Sequence, residues 1–161
     1  MTVSVTTNKT SYACNGSTVA FDFTFPIFAT SEIVVAVRND AAGTDTILTE
    51  TTDYSVSTAP WTSGGTVTTV ATYDSGNTIF IYRSTTQTQS TDLVENDPLP
   101  AETLEGRLDR IQCQLIDLQE QINRCVKFPI TDGTVTSELD DKIARASTTF
   151  GFDASGDISL A

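Results

Sequence analysis

Residues 103–125, TLEGRLDRIQCQLIDLQEQINRC, carry apolar side chains at alternating steps of four and three residues. This spacing places them in one narrow line along an α-helix, as in the heptads of coiled coils. The line, which we call the apolar seam, consists of Leu104, Leu108, Ile111, Leu115, Leu118, Ile122 and Cys125. Because the sequence has no second long helix to cover the seam, we expect the same helix of another copy to cover it.

The heptad register of the seam also predicts how many copies associate. Leu108, Leu115 and Ile122 take the a positions, and the other four seam residues take the d positions. Leucine at a with isoleucine at d favours trimers or tetramers over dimers. The flanking positions are rich in glutamine, which causes little repulsion between identical chains. The alternative is that the same stripe packs against its own β-domain.

Both ends of this helix have sequence signals, which predict a helix over residues 100–128. It begins near Pro98-Leu99-Pro100, because proline is tolerated in the first turn of a helix. It ends before Pro129, with Arg124 and Lys127 in its last turn.

The preceding residues, 2–90, have the alternation of β-strands. In TVAFDFTF, the side chains of Val19, Phe21, Phe23 and Phe25 fall on one face, which predicts a core strand. Further strands are predicted around Val3 to Val5 and in 32–37, 46–50, 53–57, 65–70 and 78–83. Six or seven short strands separated by turns indicate an antiparallel β-sandwich or barrel. The expected fold is therefore mainly β, with a long helix after the β-domain.

Composition excludes several classes of function. With 21 acidic and 9 basic residues, the net charge is −12, so binding of nucleic acid through its phosphates is not expected. The absence of histidine excludes histidine-dependent triads and the usual zinc sites. No stretch reaches the ~20 apolar residues of a membrane span, and no export signal begins the chain, which predicts synthesis in a cytoplasm and no membrane partner.

No residues of the sequence form a convincing catalytic, cofactor or metal site. The three cysteines, Cys14, Cys113 and Cys125, are scattered, and we expect reduced and mostly buried thiols. The alternation at residues 153–157 resembles the start of a calcium loop but lacks the later glycine and glutamate. The carboxylate pairs at 95–97 and 140–141 are expected to be solvated. The chain is therefore predicted not to be an enzyme.

A carbohydrate-binding β-sandwich is an alternative function. The β-region is rich in threonine hydroxyls, and aromatic side chains can form a platform for a sugar. This alternative requires Trp61, Tyr54 and Tyr73 to gather on one exposed concave surface.

Four stretches of the sequence resemble a known family. They are FDFTFPIF at 21–28, LTETTDYSVS at 48–57, GGTVTT at 64–69 and TIFIYRSTTQTQSTDLVENDPLPAETLEGRLDRI at 78–111. Together they resemble the N-terminal, virion-anchoring domain of tail fibres and tailspikes from short-tailed bacteriophages, over roughly residues 3–130. Trp61 and the helix cysteines match no motif of that family.

The resemblance implies a homotrimeric fibre protein of the virion tail, anchored to tail adaptor or nozzle proteins, with host recognition nearer the carboxyl end. The implied organisation is a head over 2–90, a connector over 91–99, a trimerising helix over 100–128, and a short collar helix and linker over 129–161. GFDASGDISLA resembles the linker into a distal module. A further alternative is a capsule-depolymerising tailspike whose catalytic region lies beyond Ala161.

Overall fold

The computed structural model describes residues 3–89, 91–92, 100–131, 150–152, 154 and 158–160. The chain forms two compact units, Met1–Arg124 and Cys125–Ala161. The predicted collar helix, the carboxylate pairs at 95–97 and 140–141, and the calcium-like positions 153, 155 and 157 lie outside the described residues. The predicted domain boundaries stay a prediction.

The first unit contains two antiparallel sheets. In chain order its strands are β1 (Lys9–Ala13), β2 (Ala20–Phe23), β3 (Ile33–Asn39), β4 (Thr44–Ile47), β5 (Tyr54–Val56), β6 (Gly65–Thr69) and β7 (Asn77–Arg83). One sheet has the order β1-β7-β3-β4, and the other has the order β2-β6-β5. The predicted mainly β fold is therefore confirmed. The described strands form two separate sheets packed as a sandwich, so the barrel alternative is wrong.

The core lies between these two sheets. Phe21 and Phe23 alternate with the exposed residues Ala20 and Asp22 along β2, and Phe25 is buried just beyond that strand. They pack with the buried side chains of β3, β6 and β7, including Val35 and Ile79. The period-2 pattern of TVAFDFTF therefore predicted the core-facing side of this segment correctly for the three phenylalanines. Val19 is only half-buried.

The first strand begins later than predicted. Residues Val3 to Asn8 have no strand pairing, and β1 starts at Lys9. The backbone N–H of Val3 donates to a carboxylate oxygen of Asp109 at 3.3 Å, and the Asn8 side chain donates to Asp117 at 2.9 Å. The alternation of Val3 and Val5 was misleading because the backbone of Val3 bonds to the helix, whereas Val5 packs against the core without pairing in a sheet.

The helix, α1, spans Ala101–Asn123 and is 23 residues long. The prediction of 100–128 placed its end too late. Arg124 caps the helix, and its backbone N–H bonds to the carbonyls of Gln121 and Ile122, a tightened last turn that closes the helix. Within the described part of the chain, no helix has the length and apolar character needed to cross a membrane.

The second unit contains a β-hairpin. Strand β8 (Phe150–Phe152) pairs antiparallel with β9 (Ile158–Leu160). The ring of Phe152 meets that of Phe128 edge to face, with centroids 6.1 Å apart. The strand predicted within GFDASGDISLA is therefore confirmed as β9, and β8 precedes it.

Gly64 is a position where the sandwich requires glycine. Its φ is +104°, and an added Cβ would lie 1.9 Å from the carbonyl oxygen of Phe23. We predict that Gly64→Ala lowers the free energy of unfolding by more than the roughly 1–3 kcal/mol of backbone strain alone. Gly76→Ala is the control, because Gly76 has a φ of +92° but open space around it. Urea unfolding of both variants measures the difference; equal losses would contradict the close approach.

Candidate self-association interface

Helix α1 turns a polar face toward the β-sheets. Asp109, Cys113 and Asp117 are its buried residues, and their spacing of four places them in one line. The sandwich supplies the groups that cover this line. The side of the helix that packs on its own domain is therefore not the apolar seam.

An ion pair between Arg83 and Asp117 lies at the centre of this contact. Arg83 ends β7 and is 2% exposed, and its Nη2 lies 2.9 Å from Oδ1 of Asp117. The Nε–H of Arg83 also donates to this oxygen, at 3.1 Å. The same carboxylate accepts from the side chain of Asn8 and from the backbone N–H of Thr85, each at 2.9 Å. Hydrogen bonds from protein N–H groups thus replace the water that this carboxylate loses on burial, as a buried charge requires.

The guanidinium of Arg83 also reaches two backbone carbonyls. Its Nη1 donates to Pro26 at 2.8 Å, and its Nη2 donates to Cys113 at 3.2 Å. One arginine thereby ties together the end of a strand, the loop after β2 and the middle of the helix.

A second polar contact lies about two helical turns nearer the N-terminus of α1, at Arg110. Glu32 is 1% exposed, and its Oε1 lies 2.7 Å from Nη2 of Arg110. The other oxygen of Glu32 accepts from the backbone N–H of Phe28 at 2.9 Å. The side chain of Gln114 donates to the carbonyl of Thr86 at 2.8 Å. These bonds attach the first half of the helix to the loops beside β3 and β7.

Near its C-terminal end the helix makes a third contact with the sheet. Lys9, the first residue of β1, forms an ion pair with Glu120. The hydrogen bond from Lys9 lowers the pKa of the Glu120 carboxyl below its usual value. Contacts at positions 110, 117 and 120 therefore fix the rotation of α1 about its own axis.

The apolar seam lies on the opposite side of α1. At about 100° per residue, Ile111 and Leu115, two residues either side of Cys113, point about 160° away from it. Their side chains are 51% and 54% exposed, and Leu108 is 59% exposed. The exposed apolar residues of the helix are Leu104, Leu108, Ile111, Leu115, Leu118 and Ile122. The alternative in which this stripe packs on its own β-domain is therefore wrong.

Cys125 differs from the other predicted seam residues. It follows the end of the helix, belongs to the second unit and is exposed. Of the three free thiols, Cys14 and Cys113 are buried as expected. Burial raises the pKa of the Cys113 thiol to about 11. The inclusion of Cys125 as a helical d position was wrong, because α1 ends two residues earlier.

The aromatic residues of the carbohydrate alternative do not form an exposed platform. Tyr54 is 3% exposed, and its hydroxyl donates to the carbonyl of Ile33 at 2.8 Å. Trp61 is half-buried against the core, and its indole N–H donates to the carbonyl of Ser57. Tyr73 also packs on the core. These residues are structural, and the aromatic surface predicted for that alternative is absent from this described part of the chain.

Sequence reasoning did not identify the residues that attach the helix. In the sequence, Arg83 is only the last residue of the predicted strand 78–83, and no pattern assigns a role to Asp117 or Glu32. One signal was present: Asp109, Cys113 and Asp117 recur every four residues opposite the apolar seam. That pattern marks a second face of the helix but does not reveal its partner, since Arg83 lies 34 residues away from Asp117.

A stretch of a known phage protein is similar in sequence to this chain. The chain is 32% identical, over 129 residues, to the tail spike protein of Salmonella phage epsilon15. The chain is thus similar to part of a phage tail spike protein. The match covers 80% of the chain but only 12% of the length of that relative. No family model matches the chain.

Cys113 provides a direct measurement of helix attachment. We predict that Asp117→Asn increases the labelling rate of Cys113 at least tenfold, because removing one member of a buried ion pair costs about 3–5 kcal/mol and loosens α1. The experiment uses an alkylating reagent and peptide mass spectrometry, with Cys125 as the internal standard for an exposed thiol. Asp45→Asn is the control, because Asp45 and Arg38 form an exposed pair at 3.9 Å. Equal labelling of Cys113 in both variants would show that Asp117 does not hold the helix.

Proposed function

We propose that the chain is a structural part of a phage tail spike or tail fibre, which assembles as a homotrimer through α1 and attaches the fibre to the virion tail. The observation that carries this proposal is the outward apolar seam on a helix whose other face is fixed to the sandwich. The similarity to a phage tail spike protein supports the same role. The more specific assignment, anchoring to tail adaptor or nozzle proteins, follows from the family resemblance of the sequence.

The exposed seam needs a partner on energetic grounds. Complete burial of a leucine or isoleucine side chain stabilises a structure by about 1.5–3 kcal/mol. Six such side chains in one line form a contiguous apolar surface of the kind that marks an interaction site. An identical helix supplies a surface of matching length and spacing. The a and d residues favour three helices over two.

The part of the chain that the structure describes is proposed to have no enzymatic role. Its two most buried carboxylates with ionic partners, Glu32 and Asp117, are both engaged in attaching the helix. The chain spans 12% of the length of the tail spike protein to which it is similar, and we propose that these residues cleave no glycan. The depolymerase alternative places no catalytic group among them.

Substitution of the central seam residue tests self-association. We expect Leu115→Asp to convert a trimer into monomers, because a trimer would bury three unpaired carboxylates in one layer at a cost of several kcal/mol each. Light scattering measures the mass. Val70→Asp is the matched control: Val70 is 75% exposed on the sandwich, and this variant should remain trimeric. A trimeric Leu115→Asp variant would contradict the proposed interface.

Attachment to the virion is tested with phage particles that lack their spikes. We expect the purified 161-residue chain to co-sediment with such particles at a fixed ratio and to release no sugar from host capsule. Particles that already carry spikes should bind none, which is the control for specific attachment. Failure to bind the spike-free particles would rule out the anchoring role, and capsule digestion would place enzymatic chemistry in this chain.

A further inference from the structure

The N-terminal segment, Val3–Asn8, runs beside helix α1. Its first bond is to Asp109 and its last is to Asp117, so the segment and the helix run in the same direction. The eight helical steps between these aspartates span about 12 Å. Thr6 and Thr7, between the two attachment points, are exposed. The segment is therefore fixed at both ends while its middle faces solvent.

An open groove of about 390 Å³ separates this segment from the apolar seam. Thr6 and Thr7 line one side, and the helix lines the other through Gln112, Leu115 and Gln119, among others. Leu115 belongs to both the groove and the seam. A partner that covers the seam at this level must therefore also lie at the mouth of the groove.

Heptad geometry identifies which part of that partner reaches the groove. Gln112 and Gln119 occupy e positions, whereas Gln114 and Gln121 occupy g positions on the opposite flank. In a parallel coiled coil with rotational symmetry, the interface is heterologous, and the e flank of one helix faces the g flank of the next. Because a g residue faces the e residue five positions later in the next helix, Gln119 in the groove would face Gln114 of the neighbouring copy, with Gln121 of that copy one heptad further along the same flank.

The chemistry of the groove suits this occupant. Its lining residues Thr6, Thr7, Gln112 and Gln119 are uncharged, and the two charged residues that also line it, Lys9 and Glu120, form an ion pair with each other. Uncharged contacts allow close approach between copies of a chain that each carry a net charge of −12. Glutamine side chains of a neighbour can exchange hydrogen bonds with threonine hydroxyls and glutamine amides.

We propose that the N-terminal segment is a second part of the interface between copies, in which the groove beside Thr6 and Thr7 receives the glutamine-bearing flank of the neighbouring helix. This inference rests on the proposed trimer. It adds a contact that the seam alone does not provide: every copy is held both by its helix and by the segment that precedes β1.

Cross-linking tests this contact. The double variant Thr7→Cys with Gln121→Cys is prepared in a Cys125→Ser background, where the remaining thiols of Cys14 and Cys113 are buried. A short bis-maleimide should join neighbouring copies into covalent dimers and trimers on a denaturing gel. The two single variants, Thr7→Cys and Gln121→Cys, are the controls and should give less than one tenth of that product.

The mass before cross-linking separates the two proposals. A trimer that yields no more covalent product than the single variants would overturn the role of the N-terminal segment and leave the seam intact. A monomer would overturn the proposed trimer itself, and the inference with it.

As a second measurement, Thr7→Asp should raise the concentration at which the trimer dissociates about tenfold, whereas Ser17→Asp, in the exposed loop after β1, should not. Equal dissociation of these two variants would also overturn the inference.

Discussion

The buried ion pair of Arg83 and Asp117 determines what the rest of the molecule presents to its surroundings. Removing two charges from water is costly, and this cost is offset only because Asn8, Thr85 and the carbonyl of Pro26 complete the hydrogen bonds of the pair. Such a contact has strict geometry. A shift of one residue along α1 would turn the helix by about 100° and leave a buried guanidinium without its carboxylate.

Because this rotation is fixed, the helix buries its polar face and exposes its apolar face, which is the reverse of the usual arrangement. A surface helix ordinarily buries its apolar stripe against its own domain and exposes polar residues. Here the buried line contains Asp109 and Asp117, and the apolar line, which includes Leu108 and Leu115, faces outward. This arrangement suits a helix that joins copies of a protein. Its apolar face remains exposed for another copy, while its polar face is bonded to its own domain. The relationship to a phage tail spike protein agrees with such a structural role.

The sequence was sufficient to predict which side chains share one face of a strand or helix, because this depends only on their spacing along the chain. Alternation revealed the core face of Phe21, Phe23 and Phe25, and steps of three and four revealed the seam on α1. The end of the helix and the path of Val3 to Asn8 were not predictable, because hydrogen bonds rather than hydrophobic period decide both. The attachment network was missed for a related reason: Arg83 and Asp117 come from distant parts of the chain, and only the fold brings them together.

Sedimentation equilibrium of the unmodified chain shows whether the outward apolar seam joins copies of this protein. We expect a mass of three times 17.3 kDa at micromolar concentration, with dissociation only on strong dilution. A mass of 17.3 kDa throughout the accessible concentration range would contradict it, because the seam would then be stable in water without a second copy.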